Sequence, residues 1–285
     1  MMYTVALSVL ITFCGCISNN NSCQGFSLHT SKTAAHRTSM MSASNSDGVA
    51  YDEPSKLLVS SFHQISLASD PEAKLRLILA SQSPRRTEIL EMMGLGGRFT
   101  ASPSPLDEEK LQIELSQQEI SPSDYARTLA ERKAHAYAAE ALEITNGVAL
   151  IIGSDTIVDL DGHIMEKPTD EKVAHSMLSS LSGNWHQVHT GVAVYAVGAS
   201  ASSNEPQLMF SFTDTAKVKF ASLTDRDIKA YIDTREPFDK AGSYGIQGIG
   251  GQLVEKINGD FFTVMGLPMH RLSRELTDVI KNLDL

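Results

Sequence analysis

Leu77-Ile-Leu-Ala80 is a short apolar run that stops at Ser81-Gln82-Ser83 and meets Pro84, and this junction restricts the fold more than any other stretch. Proline has no N–H and a fixed φ, so it suits the first turn of a helix and little else in regular structure. Ser83 is placed as the N-cap. The residues that follow set Ile89, Leu90 and Met93 on one face and stop before Gly94. The reading is strand, loop, helix, the repeating unit of α/β proteins.

The rest of the chain extends that pattern. Ser121-Pro122 opens a second helix with Asp124 in the capping-box position, running through Leu129 and Ala136 towards Ile144. Val148 to Ile152 is a continuous apolar run suited to a buried central strand, which places Asp155 just past its C-terminal end. Thr156 to Leu160 and His163 to Met165 flank an Asp161-Gly162 turn and read as a hairpin, and Thr169 to Leu181 reads as a helix. Two long alternating strands follow, Trp185 to Val197 and Gln207 to Phe220, a pair able to arch away from the main sheet as a second lobe. Thr224 with Asp227 caps a helix that ends near Thr234, Gly242 to Gly251 is glycine-rich, Gln252 to Ile257 is a strand, and Pro268 starts a last helix.

Composition bounds the function. The formal net charge of -10 argues against general affinity for nucleic-acid polymers or anionic membrane, so any anion site must be local. Cys14, Cys16 and Cys23 are the only cysteines, which leaves the remainder without thiolate chemistry. No apolar run reaches the roughly 18 to 20 residues that span a bilayer, and no membrane association is expected of the mature chain. Residues 1–46 contain no Asp or Glu and only Lys32 and Arg37 as cations, while the remainder carries -12. This asymmetry, with the apolar run Val5 to Ile17 and the Ser/Thr/His-rich stretch after it, reads as a targeting leader to a plastid or other organelle. Alternatives are a simple secretory signal, or a start codon upstream of a cytoplasmic protein. Residues 47–76 read as a linker and 77–285 as the folded domain.

Several constellations carry chemistry. Ser81-Gln82-Ser83-Pro84-Arg85-Arg86 joins two hydroxyls and a helix start to two guanidinium groups, either an anion pocket or a well-capped surface helix with solvated arginines. Gly153-Ser154-Asp155-Thr156 puts a carboxylate where open α/β sheets place ligand groups, or is a satisfied turn. Lys133 and Lys167 are candidate phosphate contacts, or solvated side chains. Gln247, in the glycine-rich loop, has an amide able to donate to O4 and accept from N3–H of uracil or thymine. The dinucleotide, P-loop, zinc-finger, metalloprotease and serine-hydrolase fingerprints are all missing, so His135, His175, His186 and His189 read as ordinary core or surface residues.

In order, the blocks Leu77 to Arg86, Ile152 to Val158, Glu166-Lys167-Pro168 and Asp239 to Gly248 resemble the Maf family of nucleotide pyrophosphatases, from Leu77 to about Leu272. The resemblance implies a Maf/ITPase-like α/β fold: an elongated, mixed and twisted sheet flanked by helices, two lobes with a central cleft, often as a homodimer. It implies hydrolysis of a nucleoside triphosphate to the monophosphate and pyrophosphate, with Asp155 as catalytic base. Ser81, Ser83, Arg85, Arg86, Lys133 and Lys167 would line the triphosphate channel, and Glu108 in Pro-Leu-Asp-Glu matches the second acidic residue, which with Asp155 would hold Mg²⁺ or Mn²⁺. Arg85, Thr156 and Gln247 match the branch acting on dTTP and UTP. A house-cleaning enzyme for modified nucleotides and a non-catalytic nucleotide-binding regulator of cell division are the alternatives.

Overall fold

The computed structural model describes residues 57–141, 147–198 and 205–283, all within the unit Glu53–Leu285. The leader over 1–46 therefore lies outside the described residues, as do residues 199–204 between the two long strands. In chain order the elements are β1 (Leu75–Ala80), α1 (Pro84–Leu90), β2 (Phe99–Ser102), α2 (Glu108–Ser116), α3 (Pro122–Glu140), β3 (Val148–Leu160) and β4 (His163–Met165). They continue with α4 (Glu171–Leu181), β5 (Trp185–Gly198), β6 (Gln207–Phe220), α5 (Asp225–Asp233), β7 (Val254–Asn258), α6 (Phe261–Met265) and α7 (Met269–Lys281).

The expected strand, loop and helix at Leu77 are present as β1 and α1, with Pro84 at the first helical position. Ser83 has the extended backbone of an N-cap, yet its side chain makes no capping bond. A single mixed sheet of seven strands runs β2-β1-β3-β5-β6-β7, with β4 paired to β3. β1 is parallel to β2 and β3; the other pairings are antiparallel.

Three expectations are corrected. Asp155 lies inside β3 rather than past its end, because β5 pairs with β3 along its length from Val148 to Asp159 and keeps Gly153-Ser154-Asp155 extended. The long pair β5 and β6 does not leave the sheet; β5 is its centre, bonded to β3 on one side and β6 on the other. Nor is the stretch before Leu77 all linker. A 3₁₀ turn at Leu58–Gln64 precedes β1, Leu58 and Ile65 are 2% and 1% exposed, and the Leu58 N–H donates to Ser273 Oγ on α7 at 3.0 Å.

One sheet face carries two apolar clusters. Leu150, Ile152, Val192 and Val194 pack with Ile89, Leu90, Leu272 and Leu276, while Val158, Val188, Val218 and Phe220 pack with Leu178, Leu181, Ile228 and Ile232. Side chains alternate along a strand, so the residues between these clusters on the same face are Ser154, Thr156 and Thr190, a polar band in which Ser154 and Thr190 are fully buried and Thr156 is partly so. This band separates the two apolar clusters along the long strands they share.

The other face is covered by α3. Ala126, Ala130, Ala134 and Ala138 repeat every four residues and are all fully buried, a helix stripe of minimal bulk. The facing strand positions are Gly153 and Gly191, where an added Cβ would lie 2.3 Å from the Ala130 carbonyl oxygen and 2.2 Å from that of Ala126. Backbone meets backbone here. Gly153→Ala should therefore push α3 off the sheet and cost about 1–3 kcal/mol as overpacking does. Urea unfolding checks it, and an unchanged midpoint would contradict the close approach.

Candidate active site

The registers of β3 leave one stretch of its edge unpaired. β1 accompanies β3 only as far as Ile152, and β4 joins it only from Val158, so the edge from Gly153 to Ile157 has no partner on that side. A cavity of about 380 Å³ opens at this gap. Its walls are the chain leaving β1 with the start of α1, the chain leaving β4 at Glu166-Lys167, α2 and α3 through Glu108 and Lys133, and the loop Asp239–Ile246. Asp155 sits in the middle, 7% exposed.

The structure brings together nearly every residue singled out from the sequence. Ser81, Ser83, Arg85, Arg86, Glu108, Lys133, Asp155, Thr156 and Lys167 all line the cavity. Gln247 does not; its neighbours Gly245 and Ile246 do, while its own side chain is exposed and donates from Nε2 to Glu88 on α1 at 2.5 Å. His135, His175, His186 and His189 are not among its lining residues.

Lys133 Nζ lies 2.5 Å from Asp155 Oδ1 and 2.8 Å from Glu108 Oε2. Burial works against its charge, but Asp155 and Glu108 outweigh that and hold its pKa above the ordinary lysine value. A buried ammonium so paired is strongly held, because removing either partner would strand a charge. Its reach follows from the close packing of α3.

Arg86 spans the polar band. Its guanidinium donates from Nε to the Gly266 carbonyl at 2.9 Å, from Nη1 to Ser81 Oγ and from Nη2 to Thr156 Oγ1, both at 3.2 Å. Ser154 Oγ also donates to the Gly266 carbonyl, and Thr190 Oγ1 to the Thr263 carbonyl. Burial lowers the Arg86 pKa, with Asp155 acting against it. The cavity floor is thus tied to the α6–α7 turn by a network of satisfied donors.

Four further groups had no individual signal in the sequence. Glu166 has a side-chain oxygen, Oε1, that is buried without a partner, and Tyr125 bonds the carboxyl. Burial first, then the Asp155 charge, pushes its pKa up to about 7. Asp239 pairs with Arg85 at 3.1 Å and with Lys240 at 2.5 Å. Glu236 accepts from the backbone N–H of Ile249 and Gly250 and from the Tyr231 hydroxyl, fixing the glycine-rich loop from behind. Gly242 ties that loop to β4: its φ is 65°, its N–H donates to the Glu166 carbonyl, and a Cβ there would strike Val158. None of these roles is local; each needs two distant segments.

Arg85, Arg86, Lys133, Lys167 and Lys240 face Glu108, Asp155, Glu166 and Asp239 across the cavity, five cations to four carboxyl groups in a chain of net charge -10. Such a local surplus suits a phosphate-bearing anion. Among the described residues no group of three His, Cys, Asp or Glu is arranged to hold a metal ion.

Residues 76–279 match the family described as Maf-like protein. The chain belongs to the Maf family. Among its relatives, a protein of Carboxydothermus hydrogenoformans named dTTP/UTP pyrophosphatase is 43% identical over 204 residues, 72% of this chain and 98% of that one. A protein of Bacillus velezensis with the same name is 44% identical over 203 residues, 71% and 96% of the two chains. A human protein named probable bifunctional dTTP/UTP pyrophosphatase/methyltransferase is 40% identical over 212 residues, which is 70% of this chain but 31% of the human one. As a Maf chain it therefore spans nearly the full length of its bacterial relatives, and the cavity falls wholly within the matched residues.

The Glu166 carboxyl supplies a test of this electrostatic picture. Its folded pKa lies above the ordinary 4.5, so the stability it contributes is present below pH 4.5 and lost as pH rises through 7. In metal-free buffer, Glu166→Gln should unfold like the parent at pH 4.5 and be more stable by about 1–3 kcal/mol at pH 8. Equal stability at both pH values would contradict the crowding of Glu166 against Asp155.

Proposed function

We propose that this chain hydrolyses dTTP and UTP between the α- and β-phosphates, releasing the nucleoside monophosphate and pyrophosphate. One observation carries the reading: cationic side chains from α1, α3 and the β4 exit converge with Asp155 on a single cavity at the open edge of β3. The names of the bacterial relatives at 43% and 44% identity support the same chemistry and the same bases. The net charge of -10 favours the free nucleotide over a nucleic-acid polymer as substrate.

In this proposal the triphosphate lies along the start of α1. Ser83 offers a hydroxyl not used for capping, and the first-turn N–H groups and Arg85 grip phosphate oxygens. Lys167, which makes no ion pair with a described residue, adds a cation from the opposite wall. Arg86 holds Ser81 and Thr156 in place and adds charge from below. Asp155, positioned by Lys133, orients or deprotonates the water for in-line attack on the α-phosphorus. Charge neutralisation by these groups lets pyrophosphate leave.

Mg²⁺ or Mn²⁺ fits the donor set. Such cations are commonly held by one or two carboxylates with substrate phosphates completing the shell, and Glu108 and Asp155 are carboxylates of that kind beside a buried, unpartnered Glu166 oxygen. When bound, the cation supplies further charge neutralisation and acidifies bound water. Lys133 keeps the two carboxylates together in the free chain. The same proposal includes a homodimer, and a leader over residues 1–46 that directs the chain to a plastid or other organelle, supported by the charge asymmetry there.

Asp155→Asn should lower kcat for pyrophosphate release by about 10²–10⁴-fold, the usual weight of a general base. Nucleotide affinity measured by calorimetry should stay within a few-fold of the parent. Undiminished turnover would remove Asp155 from the mechanism, and a parent enzyme that prefers CTP or 7-methyl-GTP would overturn the base assignment.

A further inference from the structure

Glu88 stands one turn beyond Arg85 on α1 and accepts the Gln247 side-chain amide at 2.5 Å. The bond crosses from the helix at the phosphate end of the cavity to the glycine-rich loop on the far wall, as does the Arg85–Asp239 contact. Glutamine has one amino and one oxygen end, and these exchange places on a half turn about the last side-chain bond. A carboxylate only accepts. Glu88 therefore admits one orientation: Nε2 towards α1 and Oε1 away from it.

We propose that Glu88 is a positioning residue that locks the Gln247 amide in one orientation and so makes the site select uracil and thymine over cytosine. This deepens the function proposed above and rests on Gln247, whose side chain lies beside the cavity rather than in its lining, as the base-reading group.

Uracil and thymine present an acceptor, O4, beside a donor, N3–H. Cytosine presents the reverse, a donor amino group beside an acceptor N3. An amide nitrogen carries two N–H groups; with one given to Glu88, the other and Oε1 remain as a donor and acceptor pair. That pair meets O4 and N3–H in register. Against cytosine held in the same place by its ribose and phosphates, donor would face donor and acceptor would face acceptor, a mismatch that a site built for hydrogen bonding rejects strongly. A free amide would turn over and accept either base.

The loop backbone is held independently of this bond. Glu236 accepts from Ile249 N at 2.9 Å and Gly250 N at 3.0 Å, and a Cβ on Gly248 would lie 2.5 Å from Glu236 Oε2. With the main chain fixed from behind, the remaining freedom of Gln247 is that of its side chain, which is what Glu88 restrains. Glu88 is exposed, so its replacement leaves the core intact.

The test is kcat/KM for UTP, dTTP and CTP in the parent, Glu88→Gln, Gln247→Ala and the double variant, with melting temperatures as a check on folding. Glu88→Gln keeps the shape but both donates and accepts, so it permits both amide orientations. Expected is a fall of about 10-fold for UTP and dTTP with CTP unchanged or improved, shrinking the UTP-to-CTP ratio by about 10- to 100-fold. In the Gln247→Ala background the same change should leave the ratio where Gln247→Ala put it. A uniform loss on all three nucleotides, with the ratio preserved, would reduce Glu88 to a structural contact and overturn the inference while leaving the function standing. A parent chain inactive on all three would overturn both.

Discussion

The bare edge of β3 between Gly153 and Ile157 is the constraint on which the rest depends. A strand with a partner on one side only exposes backbone and side chains where a closed sheet would bury them. Here β1 stops early and β4 starts late, and the chain segments that leave those two strands carry Ser81, Ser83 and Arg85 on one side and Glu166 and Lys167 on the other. The same gap makes a cavity and delivers its walls. Open α/β sheets place ligands outside the carboxyl ends of their strands, and this gap realises that rule in the middle of a long strand.

Charge then decides what the cavity can hold. Asp155 and Glu108 carry negative charge and would by themselves repel a triphosphate. Lys133 reverses this by sitting between them, a position set by the alanine stripe of α3 lying against Gly153 and Gly191. Glu166, with no such partner, answers burial and the nearby Asp155 by holding its proton to about pH 7. Helix packing on one face of the sheet thus places the cation that joins the two carboxylates at its edge. The polar band around Arg86 does the corresponding work on the other face, joining two apolar clusters that would otherwise have no common floor.

What the sequence disclosed and what it withheld follow from the range of the interactions. Local signals were legible: Pro84 after an apolar run, the Thr224 and Asp227 capping box, and the alternation that bounds β6 at Gln207 and Phe220 all appear in the structure. Gly153-Ser154-Asp155 was misread as a strand end because glycine and polar residues mimic a turn, whereas pairing with β5 overrides them. Leu58 and Ile65 were lost in a segment read as linker, although both reach the core. The roles of Glu166, Asp239, Glu236 and Glu88 were invisible in principle, since each depends on a partner more than a few residues away in sequence. Gln247 was expected at the base of the nucleotide; its neighbours Gly245 and Ile246 line the cavity while its own side chain lies on Glu88, a distinction that no linear spacing encodes.

Hydrolysis in ¹⁸O-labelled water with UTP as substrate tests the central claim most directly. Attack on the α-phosphorus by a water held at Asp155 places the label in the nucleoside monophosphate and leaves pyrophosphate unlabelled. Label in pyrophosphate, or release of labelled orthophosphate, would show that bond cleavage occurs elsewhere along the chain of phosphates and would contradict the arrangement described at the β3 edge.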